Sequence, residues 1–275
     1  MDNKKIYVTG YKGMIGSRLI EKGCSPFVCD VRDIVMVDTR IQDYRPDVII
    51  HLAYKANVDY CEQAGNRAEV DAVNIHGSNN LFSMAEKYNI PVVFVSSDQV
   101  FSGNWMGNYK ETSTDLSPKN YYGFTKLAVE ASVQAYDNVN IVRTSTVFTN
   151  DNYLPILDKI RLGEEFSPPA FMWRSFMHVD HLTDSLVHYA NNIHNMPKVL
   201  HLSGSRNVSW YRFMHDYARM SGLGSDLVIP RFRDTKTAGM ADRPSRSGLS
   251  TALSGRLGFR QHDYMDGIRL ALAGV

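Results

Sequence analysis

The chain predicts an α/β fold, a doubly wound parallel sheet with helices on both faces and a smaller C-terminal lobe, on three observations. Short apolar runs alternate with helical patterns through the first half, as strands and crossover helices do in a parallel sheet. Two of those runs, VIIH at 48–51 and VVFVSS at 92–97, are almost wholly apolar, as strands covered on both faces must be. The first run ends in a glycine-bearing turn, TGYKGMIGS, that opens an amphipathic helix.

Each element follows in order. Lys5–Thr9 reads as the first strand, with a helix starting near Gly13 or Met14. Phe27–Asp30 reads as a second short strand, and the stretch from Asp30 to Val48 has room for only a short element. The turn Arg45-Pro46-Asp47 introduces strand Val48–His51. Glu69–Tyr88 reads as a long helix ending before Pro91, followed by strand Val92–Ser97, helix Tyr122–Tyr136 and strand Ile141–Thr144. After Asn150 the pattern loosens into helix Asn152–Leu162 and a loop, Glu164–Arg174, broken by Pro168-Pro169. A short strand, Phe176–Val179, feeds helix Asp180–Asn192, then strand Val199–Ser203 and helix Trp210–Ser221. Leu223–Leu253 is mostly irregular, and a last helix spans about Asp263–Leu272. With no repeat or free linker, residues 1–150 read as one domain, and 151–275 as a lobe partly interleaved with it.

Composition narrows the classes of function. Thirty basic against twenty-nine acidic residues leave a formal charge of +1, so no broad field draws in nucleic acid or a membrane surface. An anionic ligand therefore needs a local site. No apolar stretch approaches the ~20 residues that span a bilayer, and MDNKKIYVTG has no apolar core of a signal peptide. The three cysteines, Cys24, Cys29 and Cys61, show no metal-ligand spacing. The expectation is a cytoplasmic chain in a reducing compartment, without a structural metal among its nine scattered histidines.

The turn Thr9-Gly10-Tyr11-Lys12-Gly13-Met14-Ile15-Gly16 has the form TGxxGxxG. A pyrophosphate sits on a helix N-terminus only if backbone approaches closely, so glycines are needed at the turn, the contact and the packing point. Strand before, helix after, and Asp30 twenty residues beyond Gly10 complete the context of a Rossmann-type dinucleotide site. NAD and NADP both stay open. Asp30 suits the ribose hydroxyls of NAD, whereas Arg32 suits a 2′-phosphate or is a solvated surface charge. Asp38 is either a second adenine-side contact or a turn residue.

A second constellation is Tyr122-Gly123-Phe124-Thr125-Lys126, which places a phenol and an ammonium on one face of a helix start. The ammonium is expected to lower the phenol's pKa, so that Tyr122 protonates a carbonyl oxygen as hydride arrives at its carbon. Lys126 also suits a nicotinamide ribose. Strand Val92–Ser97 ends in two serines at the carboxyl edge, where open α/β sheets bind ligands, and Ser97 is the candidate third member.

With these residues in hand, the chain resembles the extended short-chain dehydrogenase/reductases, and among them the dTDP-4-dehydrorhamnose reductase family. The resemblance runs through VTGYKGMIGS, RPDVIIHLAYKANVDYCE, VNIHGSNNL, VVFVSSDQVFSGN, YKETSTDLSPKNYYGFTKLAVE and IVRTSTVF. It continues in the second half through VSWYRFM and RPSRSGLS. It implies that Ser97, Tyr122 and Lys126 are catalytic, that Asn74 supports the lysine, and that Ala53 lines the cofactor groove. It also places Arg243 and Ser247 in a substrate-side loop. Gln99 and Ser102 depart from the tyrosine and aspartate of an STDYVFDG stretch, and Lys55 falls where the family usually has tyrosine. Those departures touch the sugar rather than the hydride chemistry.

The expected activity is NAD(P)H-dependent reduction of a nucleotide-linked 4-keto-6-deoxy sugar, by a chain that acts alone or as a homodimer. Ser97 would hold the carbonyl oxygen and Tyr122 protonate it. A 4,6-dehydratase is disfavoured, because its usual Asp-Glu pair is here Asp98-Gln99, and an amide does not exchange protons. A nucleotide-sugar epimerase stays open, as does a regulatory role like that of the methionine adenosyltransferase beta subunit, since a fold can outlive its chemistry. Trp173 either borders the sugar or packs the lobe. His178 and His181 read as packing or surface groups, and Arg231 and Arg233 as a diphosphate clamp or a solvated basic loop.

Overall fold

The computed structural model describes residues 4–104, 107–233 and 240–273. Its elements begin with β1 (Ile6–Thr9), α1 (Met14–Glu21), β2 (Ser25–Pro26), α2 (Ile34–Tyr44), β3 (Val48–His51), α3 (Val58–Glu62) and α4 (Arg67–Asp71). Next come α5 (Gly77–Lys87), β4 (Val92–Ser97), α6 (Tyr121–Ser132), β5 (Val139–Thr144), β6 (Val147–Phe148) and α7 (Asn150–Arg161). The remainder holds β7 (Trp173–Ser175), β8 (Met177–His178), α8 (Val179–Asn191), β9 (Val199–His201), β10 (Asn207–Ser209), α9 (Trp210–Met220), α10 (Ala252–Arg256) and α11 (Tyr264–Ala273).

Six strands form one parallel sheet in the order β2-β1-β3-β4-β5-β9. The fold is a doubly wound, Rossmann-type α/β sheet. Successive side chains of the buried strands alternate between the two faces of the sheet. Ile6, Val8, Val48, Ile50, Val93 and Val95 pack against Leu19 of α1 and Leu182 and Leu186 of α8. Ile49, Val92, Phe94 and Val139 pack on the other face against Val37 and Ile41 of α2, Leu81 and Phe82 of α5, and Val129 of α6. Because the chain leaves β1 toward β2 and returns on its other side as β3, the carboxyl ends of β1 and β3 flank the switch point where such sheets bind ligands.

A third apolar cluster, drawn from Phe148 to Ala271, includes Phe148, Tyr153, Phe176, Phe213, Tyr217 and Tyr264. Phe176 stacks on Phe213 at 4.1 Å between ring centroids. The stretch expected to be irregular is laced to its neighbours by isolated bridges, Phe166 with Val228, Pro169 with Arg231, Trp173 with Arg246, and Tyr109 with Leu249. Residues 234–239 of that stretch lie outside the described residues.

Four elements differ from their sequence readings. The second strand is Ser25–Pro26 rather than Phe27–Asp30: Phe27 donates one bond to Val8, then turns its ring into the core beside Tyr7 and Tyr44. The stretch before Val48 is eleven residues of helix, α2, because Asp33 caps the amides of Val35 and Met36 while Val37 and Ile41 bury at i and i+4. The long helix, read as Glu69–Tyr88, runs over 67–87 and contains a π turn, Ala72–His76, a feature that often marks functional sites. Trp173–Ser175 leaves the expected loop to pair antiparallel with β10.

Candidate functional site

Backbone contact dictates the glycines of the first turn. Gly10 has φ +64°, and a Cβ there would meet Leu52 O at 2.5 Å; a Cβ on Gly16 would meet Gly10 O at 2.3 Å. Gly13 is the N-cap of α1 and offers no side chain to its amides, which leaves those donors, beside Met14 and Ile15, for an anion. Across the switch point, Thr9 Oγ1 accepts from the amides of Leu52 (3.0 Å) and Ala53 (3.1 Å). Its own proton goes to His51. Ser78 donates to Asn74 O, so it accepts from His51 Nε2, which leaves Nδ1 to accept from Thr9 at 2.7 Å. Burial holds this neutral imidazole down to about 3.

Asp30 and Arg32, rivals in the sequence reading, are partners. The Arg32 guanidinium donates to the carboxylate from Nε and Nη2, and its amide adds a third bond at 3.0 Å. These bonds hold the Asp30 carboxyl below its ordinary range. Asp38 is not brought to this site. It lies inside α2 and pairs at 2.9 Å with Lys87, the last residue of α5.

Ser97, Tyr122 and Lys126 are brought together. Asn120 caps α6 by accepting from the Gly123 amide at 2.9 Å. A Cβ on Gly123 would lie 2.3 Å from Gln99 O, so this glycine lets α6 sit on the turn after β4 and presents Tyr122 to Ser97. Burial holds the Tyr122 phenol above its ordinary range, and the Ser97 hydroxyl acts against that rise. The lysine does not lower the phenol as its spacing suggested. Lys126 Nζ is buried, donates to Val95 O at 2.7 Å, and stands 5.9 Å from the centre of the Tyr122 ring. Burial pushes the ammonium down to about 7, with Glu130 pulling the other way.

Asn74, expected to support the lysine, donates at 3.3 Å to Oγ1 of Thr125, the neighbour of Lys126 on α6, and also clamps a backbone. Facing inward from the π turn, it accepts from Lys55 N at 2.7 Å and donates to Lys55 O at 3.2 Å. Ser247, expected in a substrate-side loop, points inward. It is fully buried, and its hydroxyl donates to Asp98 rather than lining an open surface. Asp98, read in the sequence only as half of the Asp98-Gln99 pair, proves to be a hub. Its buried carboxylate accepts from Ser247 (2.5 Å), Ser145 (2.9 Å) and Ser97 (3.2 Å), with Arg174 Nε at 3.7 Å. A buried carboxylate needs partners of this kind, but only the run Ser-Ser-Asp at a strand end hinted at it.

Of the remaining substrate-side residues, Arg243 lines a cavity of about 440 Å³. Its walls include Phe166, Pro168, Pro169, Trp210, Arg231 and Arg243. Arg243 is held by Asp59 at 2.9 Å, and Trp173 stands half-exposed next to the cavity residue Met172. Gln99 reaches the same wall through Asn120. Because Asn120 Oδ1 is taken by the Gly123 amide, its Nδ2 donates to Asp242 O (2.8 Å) and Gln99 Oε1 (2.9 Å). The Gln99 carboxamide oxygen is thereby occupied, which leaves its amide nitrogen as the donor. A larger cavity, about 570 Å³, lies between α8 and the loop before α11, around His181, His188 and His262. It contains none of the residues above, and the smaller cavity holds Arg231 and Arg243 but not Ser97, Tyr122 or Lys126.

Among the described residues no three His, Cys, Asp or Glu side chains converge as metal ligands, and no helix is long and apolar enough to cross a membrane. Comparison with known proteins then decides the family: the model of the RmlD substrate binding domain matches residues 4–275. The chain belongs to this RmlD family.

Other members and neighbours agree with that placement. The dTDP-4-dehydrorhamnose reductase of Escherichia coli is 28% identical to this RmlD chain, over 77% of this chain and 73% of its own. The spore coat polysaccharide biosynthesis protein SpsK of Bacillus subtilis is 24% identical over 96% and 95%. Among solved structures, the dTDP-4-dehydrorhamnose reductase of Bacillus anthracis in complex with NADP superposes with a TM-score of 0.86, at 26% identity, over 100% of this chain and 99% of that one.

Proposed function

We propose that this chain is a nicotinamide-dependent ketoreductase acting on a nucleoside-diphosphate 4-keto-6-deoxy sugar, with dTDP-4-dehydrorhamnose as the first candidate. The observation that carries the reading is a buried, protonated Tyr122 beside Ser97 at the carboxyl end of β4, with Lys126 one helical turn on.

The cofactor fits the residues present. The cradle of Gly10, Gly13 and Gly16 suits a pyrophosphate, because a Cβ at Gly10 or Gly16 would strike backbone, while the bare α1 amides by Met14 and Ile15 face it. The Asp30–Arg32 pair suits the adenine ribose of NAD or NADP, with Ala53 along the groove. A bound reduced nicotinamide supplies hydride to the ketone carbon. Tyr122 delivers the proton to the ketone oxygen, giving an alcohol, and recovers its own proton from solvent. Its raised pKa keeps the proton available at neutral pH. Lys126 would bind the nicotinamide ribose.

On the substrate side, the apolar walls and Arg231 and Arg243 suit a base and a diphosphate. Gln99 offers its amide nitrogen, and Trp173 its ring, to the sugar. Elimination of water is disfavoured, because the Asp98 carboxylate is committed to three serine hydroxyls and its neighbour Gln99 does not titrate. The test is loss of reduced-nicotinamide absorbance with NADPH or NADH and dTDP-4-dehydrorhamnose. Sugar-dependent oxidation supports the reading; cofactor binding without oxidation sinks it.

A further inference from the structure

Lys126 sits in a cage that the sequence did not announce. Its Nζ lies 3.4 Å from the centroid of the Tyr54 ring and 4.7 Å from that of Phe94. Tyr54 also meets Tyr122 edge-on, with centroids 5.9 Å apart and planes at 88°. One side chain thus touches both the phenol and the ammonium. Its position is set from behind: Asn74 takes the Lys55 amide and donates to the Lys55 carbonyl, which fixes the backbone next to Tyr54. Desolvated cations are stabilised on aromatic faces, and the Tyr54 face is the nearer of the two rings. The charged or titratable groups facing Lys126 are Tyr54 from that segment, Tyr122 and Glu130 from α6, and neutral His51 from β3.

We propose that Tyr54 is a positioning residue for Lys126: its ring face, pinned by Asn74 through the Lys55 backbone, favours the ammonium form and holds it within one ring of Tyr122. This takes from the ketoreductase reading only that Lys126 works as a cation. Asn74 then acts on the lysine through Tyr54, at one remove.

The experiment compares Tyr54→Phe and Tyr54→Leu in the full chain, measuring kcat and KM for NADPH oxidation with dTDP-4-dehydrorhamnose across pH, NADPH affinity by fluorescence over the same range, and Tm. Phe keeps the π face and should keep the wild-type pH profile. Leu keeps an apolar side chain without the π face, so the alkaline limb of kcat should move down by roughly one pH unit, with kcat at neutral pH about tenfold lower. NADPH affinity should follow the same shift. If Tyr54→Leu does not fold, Asn74→Ala, which frees the pinned backbone, should show the shift instead. A Leu variant that loses Tm but keeps the wild-type limb would overturn the proposal, as would a Phe variant impaired as much as Leu. Should the wild-type chain oxidise no NADPH with the sugar, the ketoreductase reading fails by itself, and the pH dependence of NADPH affinity still decides the role of Tyr54.

Discussion

Ser247 Oγ donates to Asp98 Oδ2 at 2.5 Å, joining the end of β4 to a segment 149 residues later in the chain. Arg174, buried and bonded to Pro244 O at 2.6 Å, leans on the same carboxylate. The substrate-side segment is therefore tied to the turn that carries Ser97.

Cutting that tie should loosen the segment without touching the reacting groups. Ser247→Ala is expected to raise KM for the sugar about tenfold with kcat nearly unchanged, and to lower stability by about 1.5–3 kcal/mol, the worth of a hydrogen bond to a charged group. Steady-state kinetics and urea denaturation check both. An unchanged KM would show that the tie does not govern the substrate segment.

The Asp30–Arg32 pair predicts a cofactor preference that shifts on mutation. Arg32→Ala removes the cation suited to a 2′-phosphate, so NADPH affinity should fall about tenfold or more, while NADH affinity changes less than about threefold. Fluorescence titration with both cofactors reads this directly. Equal losses would place Arg32 away from the 2′ position.

Glu130 and Arg143 form a buried ion pair at 2.6 Å behind the site, and Ser96 donates to the same carboxylate. Glu130→Ala strands a buried guanidinium and should cost about 3–5 kcal/mol, whereas an apolar replacement of both residues should cost much less. Chemical denaturation of the single and double variants separates the two cases.

Acid should destabilise the fold before its carboxylates titrate. Burial holds His51 and His201 down to about 3 and His262 to about 4, against about 6.5 in an unfolded chain. The unfolded state therefore binds more protons below pH ~6.5, and stability must fall as pH drops from there toward 3–4. Above pH ~6.5 these histidines add no slope. Tm measured across that window checks the sign; a flat profile would mean the imidazoles reach solvent.

Much of this was legible in the sequence, for local reasons. The strands at 48–51 and 92–97 declare themselves by apolar runs that need cover on both faces, and Gly10 and Gly16 by a spacing that backbone approach imposes. Tyr122 and Lys126 share a helix face by arithmetic alone. What escaped depends on contacts between distant segments. Nothing local says that Ser247 turns inward to Asp98, that Asn74 binds the Lys55 backbone from a π turn, or that Tyr54 lies on Lys126. Helix α2 was missed for a different reason: only two of its eleven residues are buried, so its apolar stripe is narrow, and its exposed Ile34, Val35 and Met36 blur the period.

The central claim is that Tyr122 delivers the proton to a sugar ketone. The direct measurement is NADPH oxidation with dTDP-4-dehydrorhamnose by the wild-type chain and by Tyr122→Phe, alongside NADPH affinity for each. The account predicts sugar-dependent turnover in the wild type, and a loss on the order of a hundredfold or more in the variant with cofactor affinity retained. Near-normal turnover by Tyr122→Phe would contradict it.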